Sequence, residues 1–269
     1  MLPFTPGMIS AVLSSMKAFE NDLNATFNRY GYNLRDNTGR RNALVSQAQE
    51  REVANVLRTV FNEVIEDGSP GQPDVVVKDI NKELECKLTS GTGETPTYAL
   101  QTDWDTLQRK GSLDYMWIIC NKDFDKFCIL YFEGLTTDDF IPPASGSRGK
   151  SRMNKKLGMQ KVTCLHGSIG TQNEIIIQEY INRMGAIYEE RTARLQELQD
   201  RYNNFTDRAK IGKKQTLELI TSEQARFDKK ITNIASKIAL WERKDPRYTF
   251  NLVEILEGSA LAEPLQEAA

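Results

Sequence analysis

Tyr115-Met116-Trp117-Ile118-Ile119-Cys120 is an unbroken apolar run of strand length, and it has no face to offer to water. Successive strand side chains point to opposite faces of a sheet, so a strand that is apolar at every position is covered on both sides. The surrounding sequence alternates helical and strand patterns, which makes the chain a mixed α/β layer arrangement.

Upstream, Thr5-Pro6 is a helix start with proline at the first helical position. Ile9, Val12, Leu13, Met16, Phe19, Leu23 and Phe27 follow at helical spacing until Gly31. A polar segment, Asn33 to Arg41, carries Arg35, Arg40 and Arg41 and reads as a loop able to touch phosphate or simply to sit in solvent. Asn42 to Glu66 reads as a second helix on the stripe Leu44, Val45, Ala48, Val53, Leu57, Val60, Phe61 and Val64. Asp67 to Gly71 breaks it. Val75 to Val77 and Leu84 to Leu88 then read as a β-hairpin around the turn Lys78 to Lys82. Thr89 to Thr97 is loop by composition, and Tyr98 to Lys110 has a helical pattern. Lys126 to Phe132 gives another strand.

From Thr171 the pattern becomes helical. Ile177, Ile181, Met184, Tyr188, Leu195, Leu198, Tyr202 and Phe205 form a heptad seam interrupted by Arg191. After a turn at Ile211-Gly212, Ile220, Phe227, Ile231, Ile234, Ile238 and Trp241 repeat it, with Gln224 as the polar exception. So short a connection predicts an antiparallel helical hairpin. Tyr248 to Leu256 reads as a last strand or short helix. The expected division is therefore residues 1–170 for the α/β domain and 171–269 for the hairpin and tail.

Composition narrows the chemistry. A net charge of −2 over 269 residues excludes a globally basic nucleic-acid coat, so any DNA contact would come from local patches. One such patch stands out. Ile141 to Lys161 places Arg148, Lys150, Arg152, Lys155, Lys156 and Lys161 on a Gly/Ser-rich backbone with no acid among them, a spacing suited to a phosphate ladder or to a solvated loop. The single histidine, His166, excludes His-rich zinc sites and His-Glu-x-x-His metalloproteases. Four cysteines without metal-ligand pairing read as reduced core thiols of a cytoplasmic protein. No apolar run reaches membrane-spanning length.

What remains is carboxylate and lysine chemistry on the hairpin. Side-chain alternation puts Glu83, Glu85 and Lys87 on one face and Leu84, Cys86 and Leu88 on the other. Asp74, just after Pro73, begins the partner strand. Two carboxylates converging on a hard cation beside an ammonium that orients water suit metal-assisted phosphodiester hydrolysis.

This constellation resembles the PD-(D/E)XK nuclease superfamily, to which most type II restriction endonucleases belong. The match covers residues 42 to 120: Pro73-Asp74 on one strand, Glu85-Cys86-Lys87 on the next, and Glu50 within Ser46-x-x-x-Glu50-x-x-Val53-Ala54-x-x-Leu57 on the preceding helix. That family's core carries three strands ahead of its second helix, of which two are read here. The resemblance implies a restriction-endonuclease-like mixed central sheet flanked by helices, with the C-terminal antiparallel hairpin as an addition. It implies Mg²⁺ held by Asp74 and Glu85, with the Cys86 carbonyl as a further ligand and Glu50 reached directly or through water. Lys87 would hold the attacking water. The implied activity is cleavage of double-stranded DNA to a 5′-phosphate and a 3′-hydroxyl by a homodimer. A structure-reading phage or repair nuclease and a non-catalytic coiled-coil interaction protein are the competing expectations.

Overall fold

The computed structural model describes residues 1–69, 71–91, 98–144, 149–206 and 209–255. They fall into two compact units, Met1–Ile169 with the segment from Phe250, and Gly170–Thr249.

The first unit opens with α1 (Pro6–Arg29), capped by Thr5, whose hydroxyl accepts from Met8 N at 3.2 Å. The next helix, α2, spans Thr38–Leu57 with Asn37 as its cap. It therefore starts inside the arginine-bearing segment expected to be loop and stops well short of Glu66. Two of those arginines are committed to the fold. Arg35 binds Glu20 through two hydrogen bonds, at 2.8 and 3.0 Å. Arg41 is fully buried, donates to Ser90 Oγ at 2.7 Å, and lies over the Phe124 ring.

The residues past Leu57 form β1 (Val64–Glu66), which pairs antiparallel with β2 (Val75–Val77), Val64 facing Val77. The expected helical continuation fails because Val64-Ile65 finds a ladder partner in three consecutive valines, and Val60 is left exposed. β2 and β3 (Lys82–Ser90) form the expected antiparallel hairpin, with Val75 facing Leu84. Its turn uses Asn81 at φ 51°, a left-handed position that asparagine tolerates.

A short strand, β4 (Gln101–Asp103), precedes α3 (Trp104–Lys110), so the helix expected from Tyr98 begins only at Trp104. Next comes β5 (Leu113–Cys120), buried at every position as its composition requires. It runs parallel to β3 and antiparallel to β6 (Lys126–Leu135). The basic segment is not a plain loop: it contains β7 (Phe140–Ile141), β8 (Lys150–Met153) and the single-turn α4 (Lys155–Gly158). Strand β9 (Val162–His166) pairs with β6. Among the described residues the main sheet has the order β1-β2-β3-β5-β6, with β9 and a terminal strand at Val253–Glu254 both on β6. The described residues 250–255 thus belong with the sheet rather than with the helical unit.

Two layers cover this sheet. On one face, α1 and α2 contribute Val12, Leu13, Met16, Val45 and Val53 to a core with Leu84, Cys86, Met116, Ile118 and Ile129. On the other, Tyr115 stacks on Trp117 at 4.7 Å and Phe132 meets Trp117 edge-on at 5.1 Å. A second small sheet, β4-β8-β7, belongs to this side. It is tied down by a 2.6 Å hydrogen bond between Thr102 Oγ1 and the Tyr115 hydroxyl.

The second unit is an antiparallel pair, α5 (Gln172–Asn203) and α6 (Lys210–Glu242). Asn173, at the start of α5, donates to the carbonyls of Trp241 and Lys244 at the end of α6, at 3.3 and 3.1 Å. Further along, Arg191 meets Asp228 at 3.2 Å and Arg194 meets Glu223 at 3.8 Å. The helical hairpin is as expected, but its seam is displaced in places. Tyr180 and Ile187 turn inward, while Ile181 and Tyr188 are exposed. Glu223, not Gln224, is the polar seam residue on α6, and the expected turn at Ile211-Gly212 lies within that helix.

Candidate active site

The fold brings Asp74, Glu85, Lys87 and Glu50 to one place. Pro73 is buried and fixes the entry to β2, so Asp74 lies beside the middle of β3. Its Oδ2 accepts the Cys86 backbone N–H at 2.7 Å, completing the ladder just beyond the Val75–Leu84 pair. Glu85 and Lys87 project to the face shared with their parallel partners Tyr115 and Trp117. Lys87 Nζ donates to Glu85 Oε1. The other carboxylate oxygen, Glu85 Oε2, is buried and has no hydrogen-bond partner.

Burial costs a carboxylate its hydration, and neighbouring negative charge adds to the cost. Both effects appear here. Asp74 is pushed up from 3.8 to about 7, first by burial and then by Glu85, with Glu50 adding to the shift against the opposing pull of Lys87. Glu50 is raised by burial, then eased by Lys87 and raised again by Glu85 and Glu66. Lys87 loses by burial but gains more from Glu85 and Asp74, so its ammonium is held above the ordinary value. The site thus concentrates more negative charge than one lysine neutralises.

These groups fit a hard divalent cation in donor chemistry: carboxylate oxygens, one of them, on Glu85, buried without a partner, beside Asp74 whose ionisation burial penalises. The fit is by the pair Asp74 and Glu85 and no denser cluster. Among the described residues no group of three or more His, Cys, Asp or Glu side chains is already arranged around a common point. Cys86 offers no thiol to the site, because its side chain lies in the core on the opposite face and burial drives its pKa well upward. Any contribution from it would come from its backbone.

The neighbours sort themselves by their partners. Glu83 shares the face of Glu85 but is held by Lys110 Nζ at 2.8 Å. Glu52 accepts from Asn55 Nδ2, and Glu63 lies outside α2. Sequence reading passed over Gln49. It is fully buried, and its Nε2 donates to the carbonyls of Met116 at 3.2 Å and Lys87 at 3.4 Å. Its signal was an amide at the centre of the apolar spacing Val45, Gln49, Val53.

The basic residues divide between two cavities. Lys150 lines a cleft of ≈310 Å³ together with Lys87, Gln101, Asp103 and Trp117. Gln101, expected on a helix, is on β4 and faces Arg152 of β8. Arg152 and Lys155 line a second cavity of ≈400 Å³ with Tyr98 and Ile141. Burial lowers the pKa of Lys155, whose ammonium lies 5.8 Å from the Phe250 ring. Lys156 is exposed on α4. Arg148 lies outside the described residues.

Comparison with known proteins returns no match: no family model, no curated protein and no solved structure is significantly similar to this chain. Among the described residues no helix is long and apolar enough to cross a membrane.

Proposed function

We propose that this chain is a Mg²⁺-dependent deoxyribonuclease of the PD-(D/E)XK kind, cutting double-stranded DNA at specific sequences as a homodimer. The observation that carries the reading is the buried, unpartnered Glu85 Oε2 beside Asp74 and Lys87. A carboxylate that folding leaves without a hydrogen bond is costly, and a cation-binding role accounts for its retention. Two features of the fold support the same reading. Strand β1 adds a third main-sheet strand ahead of α3, in keeping with the resemblance, and α2 brings Glu50 near enough to feel the charges of Lys87 and Glu85.

Asp74, Glu85 and the Cys86 carbonyl would hold the metal, with Glu50 at its edge. A bound Mg²⁺ supplies an acidified water and neutralises charge on the phosphate. The chain's own residues do the rest. Lys87 orients a water at its ammonium and contacts the scissile phosphate, while Gln49 fixes the peptide that carries Lys87. Lys150, lining the same cleft, gives the backbone of the DNA a second cationic contact. Arg152, Lys155 and Lys156 extend that contact along β8 and α4.

The test is digestion of a long, complex DNA by the purified chain with and without Mg²⁺. Discrete fragments support a sequence-specific endonuclease. A smear or branch-specific nicking assigns the chain to the structure-reading nucleases instead. No cleavage, together with no calorimetric Mg²⁺ binding dependent on Asp74 and Glu85, removes the nuclease reading. That last result would favour the interaction protein, for which the specific observation is that Ile181 and Tyr188 stay 42% and 45% exposed on α5. Sedimentation of the free chain tests the dimer.

A further inference from the structure

Away from the carboxylate site, two of the four cysteines lie on neighbouring strands. Cys128 is in β6 and Cys164 in β9, and the antiparallel register sets Cys164 opposite Leu130, two residues from Cys128 and on the same face. The ladder is irregular there. Its register shifts between Ile129 and Leu130, so that Ile129 faces His166 rather than Leu165. Such a bulge bends the strand and re-aims the side chains beside it.

Gly167 follows at once, with φ +79°, and a Cβ built on it would approach Cys128 Cβ to 3.2 Å and Asn251 O to 2.5 Å. A side chain at that position would crowd Cys128, and glycine leaves the space beside it open. On this shared face each thiol bears on the ionisation of the other. Each also finds a backbone carbonyl at the bulge, Cys164 Sγ that of His166 at 3.3 Å and Cys128 Sγ that of Ser168 at 3.9 Å. Cys86 and Cys120 have no such neighbour; Cys120 Sγ is occupied by Ser90 and Arg41.

We propose that Cys128 and Cys164 form a reversible thiol–disulfide pair, an oxidation site that ties the edge strand β9 to β6. The two thiols have different roles. Cys164 is partly exposed, and its thiol is lowered to about 7, chiefly by Cys128. Cys128 is fully buried, and its thiol is raised by Cys164 and by burial. Reactivity follows the exposed thiolate. With hydrogen peroxide as oxidant, the Cys164 thiolate attacks one peroxide oxygen, the O–O bond breaks, and hydroxide leaves, giving a sulfenic acid. Cys128 then attacks that sulfur, the S–S bond forms, and the sulfenic oxygen departs as water with the Cys128 proton. Two thiols and one peroxide give one disulfide and two waters.

The experiment uses the full chain in its reduced form, treated with a small excess of hydrogen peroxide, then unfolded in an alkylating reagent and mapped by mass spectrometry. The expected result is a fall from four alkylatable thiols to two, with the Cys128 and Cys164 peptides joined and dithiothreitol restoring all four. In Cys128→Ser, a dimedone adduct should accumulate on Cys164. Should that buried substitution prevent folding, Cys164→Ser serves instead, and its Cys128 should resist peroxide. Four free thiols after treatment of the native chain would overturn the proposal. So would Cys164 passing to sulfinic acid while Cys128 remains alkylatable, or a bridge involving Cys86 or Cys120.

Discussion

Two acid–lysine clusters involve the same strand, and only one of them is satisfied. At the start of β3, Lys82 Nζ lies 3.3 Å from Asp114 Oδ2 and 2.9 Å from Glu133 Oε1. The Tyr131 hydroxyl also binds Asp114 Oδ2, Gly134 N–H donates to Oδ1 at 2.8 Å, and the chain's amino terminus meets Glu133. Every oxygen of Asp114 has a donor. A few residues on, Glu85 Oε2 has none, and Asp74 is pushed up to about 7. The first cluster stabilises the sheet. The second leaves one buried oxygen unpaired and holds a carboxyl whose charge burial penalises, and such a departure from an ordinary ion pair is what marks it as a candidate site.

The contrast can be broken most sharply at Lys87 or Asp74. Replacing either by alanine should lower DNA cleavage per folded molecule at least about 10³-fold, and Lys87→Ala should in addition lower the thermal midpoint by stranding Glu85. Full cleavage by either variant would remove the distinction between the clusters.

The next effect belongs to the satisfied cluster. Asp114→Ala strands the Tyr131 hydroxyl, the Gly134 N–H and part of the Lys82 charge, and should cost about 3 kcal/mol in urea unfolding. The cleavage rate per folded molecule should not change. A loss of activity exceeding the loss of folded protein would show that the two clusters act together.

Asp74→Asn should move stability in the other direction. A carboxyl whose folded pKa is raised holds its proton to higher pH than the unfolded chain does, so metal-free stability is fullest below about 3.8, falls as pH rises to about 7, and is flat above. Asparagine keeps the shape and an oxygen for the Cys86 N–H but removes the charge. In EDTA at pH 8 it should stabilise the fold by about 1–2 kcal/mol, and the gain should shrink as pH falls towards 4. Mg²⁺ should raise the midpoint of the parent at pH 8 by mass action and leave the variant unmoved. Equal urea midpoints for parent and variant at pH 8 would place Asp74 with the satisfied cluster.

Smallest are the cations outside the cluster. Lys150→Ala and Arg152→Ala should each weaken binding of any duplex and reduce the slope of log affinity against log salt by about 1, as read by fluorescence anisotropy. An unchanged slope would show that β8 does not follow the phosphates.

Reading the sequence found the elements whose signal is local. Strand β5 was legible because six apolar residues in a row admit no other placement, and the common face of Glu85 and Lys87 was legible because strand alternation is strict. Strand β1 was hidden, since Val60, Phe61 and Val64 fit helical spacing as well as they fit anything, and only the nonlocal partner Val75–Val77 resolves the choice. The ladder between β4 and β8 joins residues far apart in the chain, so Gln101 carried no local sign of its strand. The α5 seam slipped at Tyr180-Ile181 and Ile187-Tyr188 because both members of each pair are apolar and a period near three and a half cannot choose between them. Arg41 looked like a surface cation, but its side chain is enclosed by the ends of β3 and β5, where carbonyls and a hydroxyl replace water.

The Gln49 clamp has a consequence for how this chain can tolerate change in length. Because Gln49 is fastened to the carbonyls of Lys87 and Met116, α2 is indexed to the sheet at one residue, and Glu50 is the next tooth of that ratchet. Adding or removing a residue within α2 turns everything beyond it by about 100°, which would aim a different side chain at the charges. The connection between Leu57 and Val64 is fastened at its far end, where Glu63 N–H donates to Asp79 Oδ2 at 2.8 Å, but that tie lies beyond the acid, so insertions ahead of it can lengthen the chain without turning Glu50.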